Sequence, residues 1–100
     1  MVLIQLLLPA GPANASAIAE TRRELIEKFD GLTAYLRSPA KGLWTAPDGH
    51  VEQDDIVMVE VVTGEFDKSW WRNYATKLAG RFEQESIHVR ALPVSLAEEE

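Results

Sequence analysis

The chain has 100 residues, 46% of them apolar and 8% aromatic, enough for one modest core and too few for two. Its net charge is −6, and Glu98, Glu99 and Glu100 supply half of that, so the body is mildly acidic and argues against nucleic acid or anionic lipid as a partner. Without cysteine, disulfides, thiolate catalysis and cysteine-ligated metals are excluded.

Val2 to Leu8 is an apolar run bounded by Pro9, Gly11 and Pro12, which predicts a first strand buried in part on both faces. No Lys or Arg precedes Arg22, so the run lacks the positive start of a secretory signal, and it falls far short of the ~20 apolar residues of a membrane span. The expected location is the cytoplasm. From Ala15 to Phe29 the spacing of Ile18, Arg22, Leu25, Ile26 and Phe29 predicts an amphipathic helix, with Glu20, Arg23, Glu24, Glu27 and Lys28 pointing away from the core. Asn14 or Ser16 is the expected N-cap and Asp30-Gly31 the expected stop. Arg22 lies within the apolar stripe, so its stem is expected on the core edge with its charge reaching water.

Leu32 to Arg37 alternates as a half-buried strand does, and Pro39 stops it. Ser38 to Asp54 holds Pro39, Gly42 and Pro47-Asp48-Gly49, and reads as a long hairpin connection with Trp44 packing over the sheet or a partner. Its His50, Asp48, Glu52, Asp54 and Asp55 lack the ligand order of a calcium loop, so no metal site is expected. Ile56 to Val62 is β-branched and apolar except at Glu60, as a central strand would be. Asp67 opens a second helix as N-cap, with Phe66 placed to staple against Trp71. Trp71, Ala75, Leu78, Ala79 and Phe82 form its expected inner face, and Trp70 and Tyr74 sit on the flank as a candidate surface for a partner protein. Ile87 to Leu92 alternates again as the last strand, and Pro93 closes it.

The order β-α-β-β-α-β is that of a ferredoxin-like α+β fold, a four-stranded antiparallel sheet with two helices on one face. A single domain is expected over residues 1–97, followed by an acidic tail at 98–100. Strand parity puts Ile4, Leu6, Val57, Val59, Val61 and Val89 on the covered face. The opposite parity leaves Leu3, Leu7, Ile56, Met58 and Val62 uncovered, a patch large enough to imply an association surface. A homodimer through this open face, in the manner of a dimeric α/β barrel, is the expected assembly.

Gln5, Tyr35, Arg37, Glu60, His88 and Arg90 share that open face. Gln5, Tyr35, Arg37 and Arg90 are the candidate contacts for a small anionic or aromatic ligand, and His88 and Glu60 are the candidate catalytic groups. The same residues also suit an ion-pair network that fixes the register of a dimer. No phosphate loop, nucleophile elbow or dinucleotide fingerprint occurs, so no cofactor is expected. The basic and aromatic signature by which related topologies bind RNA is absent from Asp55 to Glu60.

The stretch Gly31 to Trp44, with Asp54 to Glu60, Trp70-Trp71 and Ile87 to Arg90, resembles a family of small uncharacterised bacterial proteins. That resemblance carries no activity. In topology the chain is also similar to the dimeric α/β-barrel proteins, which include cofactor-free monooxygenases, haem-handling enzymes and stress-response dimers. The expected function is that of a non-catalytic or ligand-binding homodimer. The alternative is a small cofactor-free enzyme, monooxygenase-like or isomerase-like, acting on an aromatic or carboxylate metabolite at the open face.

Overall fold

A computed structural model describes residues 1–29, 34–36, 40–45 and 51–97, with side chains for 1–29 and 56–97. Strand β1 (Val2–Pro9) leads through a short 3-10 turn (Pro12–Asn14) into helix α1 (Ala15–Lys28). Strands β2 (Ala34–Leu36), β3 (Ala40–Thr45) and β4 (Val51–Thr63) follow, then helix α2 (Lys68–Arg81) and strand β5 (His88–Pro93). The connection from β1 to α1 turns at Gly11, whose φ of 119° is a conformation that side-chain-bearing residues rarely adopt. Its carbonyl then accepts the Asn14 N–H at 3.0 Å.

The sheet is antiparallel throughout, in the order β2-β4-β1-β5, with β3 also paired to β4. It has five strands where the sequence predicts four, because the expected hairpin connection is itself largely strand. β4 begins at Val51 rather than Ile56, and β3 runs along its first half with Lys41 opposite Asp55 and Trp44 opposite Glu52. Gly42 reads as a loop residue in isolation, but a long partner strand overrides its low strand propensity. β2 takes the second half of β4. Counted together as one broken edge strand, β2 and β3 give the ferredoxin-like order.

Both helices cover the same face of this sheet. Ile4, Leu6, Leu8, Val59 and Val61 are fully buried there against Leu25 of α1 and Trp71, Tyr74, Leu78 and Phe82 of α2. Each such aliphatic residue contributes ~1.5–3 kcal/mol by leaving water. On the helix surfaces the observed faces differ from those expected. α1 buries Thr21 and Leu25 and leaves Ile26 half exposed and Arg22 in solvent, so Arg22 is not part of the inner stripe. Thr21 is tolerated in the core because its hydroxyl donates to the Ala17 carbonyl at 2.8 Å. α2 turns Tyr74 inward rather than onto the flank.

The caps follow the sequence only in part. The Asp67 side chain accepts the Trp70 N–H at 3.1 Å, as an N-cap does. Asn14 occupies the N-cap position of α1 without a side-chain capping bond. Its amide donates instead to the Ala10 carbonyl. Phe66 is exposed. The expected stop at Asp30-Gly31 and the tail at 98–100 lie outside the described residues.

Candidate functional site

Alternation along β1, β4 and β5 carries Gln5, Glu60 and Arg90 to the face that no helix covers, and the register sets them side by side. Gln5 on β1 stands opposite Glu60 on β4 and opposite Arg90 on β5. The Gln5 amide then bridges its neighbours. Its Nε2 donates to Glu60 Oε2 at 2.9 Å, and its Oε1 accepts from Arg90 Nε at 2.6 Å. The orientation follows from chemistry: a carboxylate only accepts and a guanidinium only donates, so an amide between them has one satisfactory arrangement. Glu60 is fully buried, whereas Arg90 is exposed, so charge is graded from the interior of the face to its rim.

Of the remaining sequence candidates, Tyr35 extends the same row, since its backbone pairs opposite Glu60 from β2. His88 belongs to the next row, opposite Leu7, and is exposed. Two strand spacings of ~4.8 Å and a two-residue step along the strand, ~7 Å, separate its backbone from that of Glu60. Arg37 lies outside the described residues, as do His50 and Asp48 of the acidic loop. Around the row, Leu3, Leu7, Ile56, Met58 and Val62 are half-buried, and Leu92 is exposed at 41%.

A second polar assembly, which the sequence pattern hides, ties the two helices together. Glu24 of α1 receives both guanidinium nitrogens of Arg81 at 2.7 and 2.9 Å. It also accepts from the Tyr74 hydroxyl at 2.9 Å and Lys77 Nζ at 3.1 Å. Arg81 further donates to the Thr21 hydroxyl at 3.0 Å, and Glu20 lies 3.7 Å from its Nε. The Arg81 fork holds the Glu24 carboxyl at about 2, well below the usual 4.5, against the opposing effect of burial and with help from Tyr74 and Lys77. Burial, followed by the bond to Glu24, pushes the Tyr74 hydroxyl up. Such a saturated cluster is a helix-to-helix clamp, with no acceptor or proton left for chemistry at neutral pH.

Beside this clamp opens a groove of about 500 Å³, lined by Glu24, Glu27, Lys28, Trp70, Tyr74 and Lys77, together with Asn73. Trp70 is locked by its neighbours. It stacks on Tyr74 at 4.9 Å and meets Trp71 and Phe29 edge-on at 4.7 and 5.6 Å. Lys28 Nζ stands 5.1 Å from the Trp70 ring centre. Among the described residues, no group of three or more His, Cys, Asp or Glu side chains could hold a metal ion. No described helix is long and apolar enough to cross a membrane.

No protein-family model and no curated protein matches the chain. Solved structures do. The divalent cation tolerance protein CutA1 from Thermus thermophilus superposes with a TM-score of 0.69 at 12% identity, over 98% of this chain and 88% of that one. The periplasmic divalent cation tolerance protein CutA from Archaeoglobus fulgidus gives 0.63 at 18% identity, over 98% and 90%. A phage SAM lyase in complex with S-methyl-5'-thioadenosine gives 0.59 at 10% identity, over 91% and 79%. At these identities the shared property is the small α+β fold.

Proposed function

We propose that the chain, as a single domain over residues 1–97, is a non-catalytic protein that self-associates through the open face of its sheet. The observation that carries this reading is the composition of that face. Leu3, Leu7, Ile56, Met58 and Val62 surround the Glu60–Gln5–Arg90 row on a sheet whose helices all pack on the other side. An apolar surface of this kind is self-complementary across a twofold axis, because the same patch then lies on both sides of the interface while the exposed Arg90 stays at its polar rim. A homodimer closes such a face, and Gln5, Glu60 and Arg90 fix its register, with the Tyr35 backbone paired opposite Glu60 at the same edge.

The enzymatic alternative has weaker support. His88 is one row and two strands away from Glu60, too far for the pair to share a proton without a large rearrangement. The neighbours do not choose between the two readings, since CutA proteins and a lyase share the fold. A role in divalent cation tolerance, which the CutA names raise, has no ligand cluster behind it among the described residues.

Sedimentation velocity tests the assembly. The expected result is a dimer at micromolar concentration for the wild type and a folded monomer for Leu7→Asp, which sets a carboxylate against the partner's apolar face. A wild-type chain that remains monomeric through that range overturns the reading.

A further inference from the structure

On the opposite side of the molecule from the open sheet face, the groove at the seam of α1 and α2 has the size and furnishing of a small-molecule site. Its volume of about 500 Å³ falls within the ~300–1,000 Å³ of typical ligand pockets. Its wall is an indole that three other rings hold in place, so little conformational entropy remains to be lost when a ligand packs against it. Tyr74, the ring stacked on that indole, is fixed in turn by its hydroxyl bond to Glu24.

The charges decide what kind of ligand fits. Glu24 is saturated by Arg81, Lys77 and Tyr74, and Glu27 is paired with Arg23 at 3.2 Å. Lys28 differs from the other cations here. Among the described residues it meets no carboxylate, and its ammonium rests on the Trp70 ring. The groove's lining sets Lys28 and Lys77 against Glu24 and Glu27, and both of these carboxylates already have cationic partners. An organic cation would have to displace Lys28 from the indole and would find both groove carboxylates already paired. An aromatic acid also moves Lys28 off the indole, but its ring takes the ammonium's place there and its carboxylate receives the displaced ammonium as a counter-ion.

We propose that this groove binds a planar aromatic carboxylate, with Trp70 supplying the ring contact and Lys28 the counter-ion. Asn73 and Lys77 lie within the same groove and give the ligand's remaining polar edge a donor.

The test follows the indole N–H resonance of Trp70 in a two-dimensional NMR titration of the intact chain with 2-naphthoate. A second arm uses cyclohexanecarboxylate and a third uses (2-naphthylmethyl)trimethylammonium. The expected result is a saturable shift with 2-naphthoate and binding about tenfold weaker for the non-aromatic acid. The ammonium compound should produce no competition. Lys28→Ala, an exposed change that leaves the aromatic cluster in place, weakens 2-naphthoate binding about fivefold. Trp70→Leu, which removes the probe resonance and is read by isothermal titration calorimetry, abolishes binding, and Lys28→Ala keeps the proposal testable if Trp70→Leu does not fold. A shift that fails to saturate, equal binding of the ammonium compound, or unchanged affinity in Lys28→Ala overturns the proposal.

Discussion

Glu24 and Glu60 both anchor polar networks that span elements distant in sequence, yet the two are built on different chemistry. Between the helices, Glu24 meets a guanidinium directly and in both of its oxygens, with Tyr74 and Lys77 completing the shell. On the sheet, the Gln5 amide links Glu60 to Arg90, donating to the carboxylate and accepting from the guanidinium. A bidentate pair fixes two elements against each other at short range and gives nothing to a third party. An amide bridge leaves the rim cation exposed, with donors still available to a neighbouring molecule. The first network serves the fold, and the second suits a surface that meets another chain.

The largest effect expected from this contrast is on Arg81. Its side chain is 12% exposed and that of Glu24 21%, so Arg81→Met leaves a largely buried carboxylate without its main partner and Thr21 without a donor. The expected loss, in urea unfolding, is about 2–3 kcal/mol, below the full value for a wholly buried pair because water reaches part of Glu24. Adding Glu24→Leu to Arg81→Met should recover part of that loss. If Arg81→Met is neutral, the clamp is not what joins the helices.

A smaller and more specific effect concerns acid. The carboxyl of Glu24 is held at about 2 in the folded chain and returns to its ordinary 4.5 when the chain unfolds. The folded state therefore binds fewer protons than the unfolded state in that window, and stability falls as pH falls. The contribution is complete above 4.5 and disappears progressively as pH approaches about 2. Wild type and Glu24→Gln should thus differ most near neutrality and converge at the acid end. A gap in unfolding free energy that stays constant across this range contradicts the assignment.

How much of this contrast could be read in the sequence depends on what the periodicity measures. Alternation along β1 and β4 places Gln5 and Glu60 on one face unambiguously, because a strand has only two sides. The row with Arg90 was therefore legible before its bonds were known. A helix offers a continuous circle, and polar spacing alone does not separate a flank that faces solvent from one that faces another helix. Glu24 consequently reads as a solvent residue although it lies against α2, and Arg22 reads as a stripe residue although it is exposed. Tyr74 and Ala75 are adjacent candidates for the same inward position, and the larger ring takes it because it buries more area. β3 was hidden for another reason. Its residues 40–45 have weak strand propensity, and their pairing depends on the length of β4, a tertiary fact. The one signal that could have exposed the clamp was the combination of Glu24 and Lys28 on α1 with Tyr74, Lys77 and Arg81 on α2. These sit at helical spacing on both elements, like the polar margin of a helix pair.

The smallest expected effect falls on the sheet. Gln5→Leu removes the amide between Glu60 and Arg90 while keeping an apolar stem on β1. Arg90 is exposed and returns to water at little cost, and Glu60 retains an interaction besides that with Gln5. The loss of monomer stability should therefore be about 1 kcal/mol, the net value of one hydrogen bond, against the two- to threefold larger loss for Arg81→Met. Self-association should suffer more than folding, because the bridge sets where each row meets the other copy. Parallel urea titrations and sedimentation runs on the two variants separate these quantities. If Gln5→Leu destabilises the monomer as much as Arg81→Met while leaving association intact, the sheet network belongs to the fold and the proposed division between the two glutamates fails.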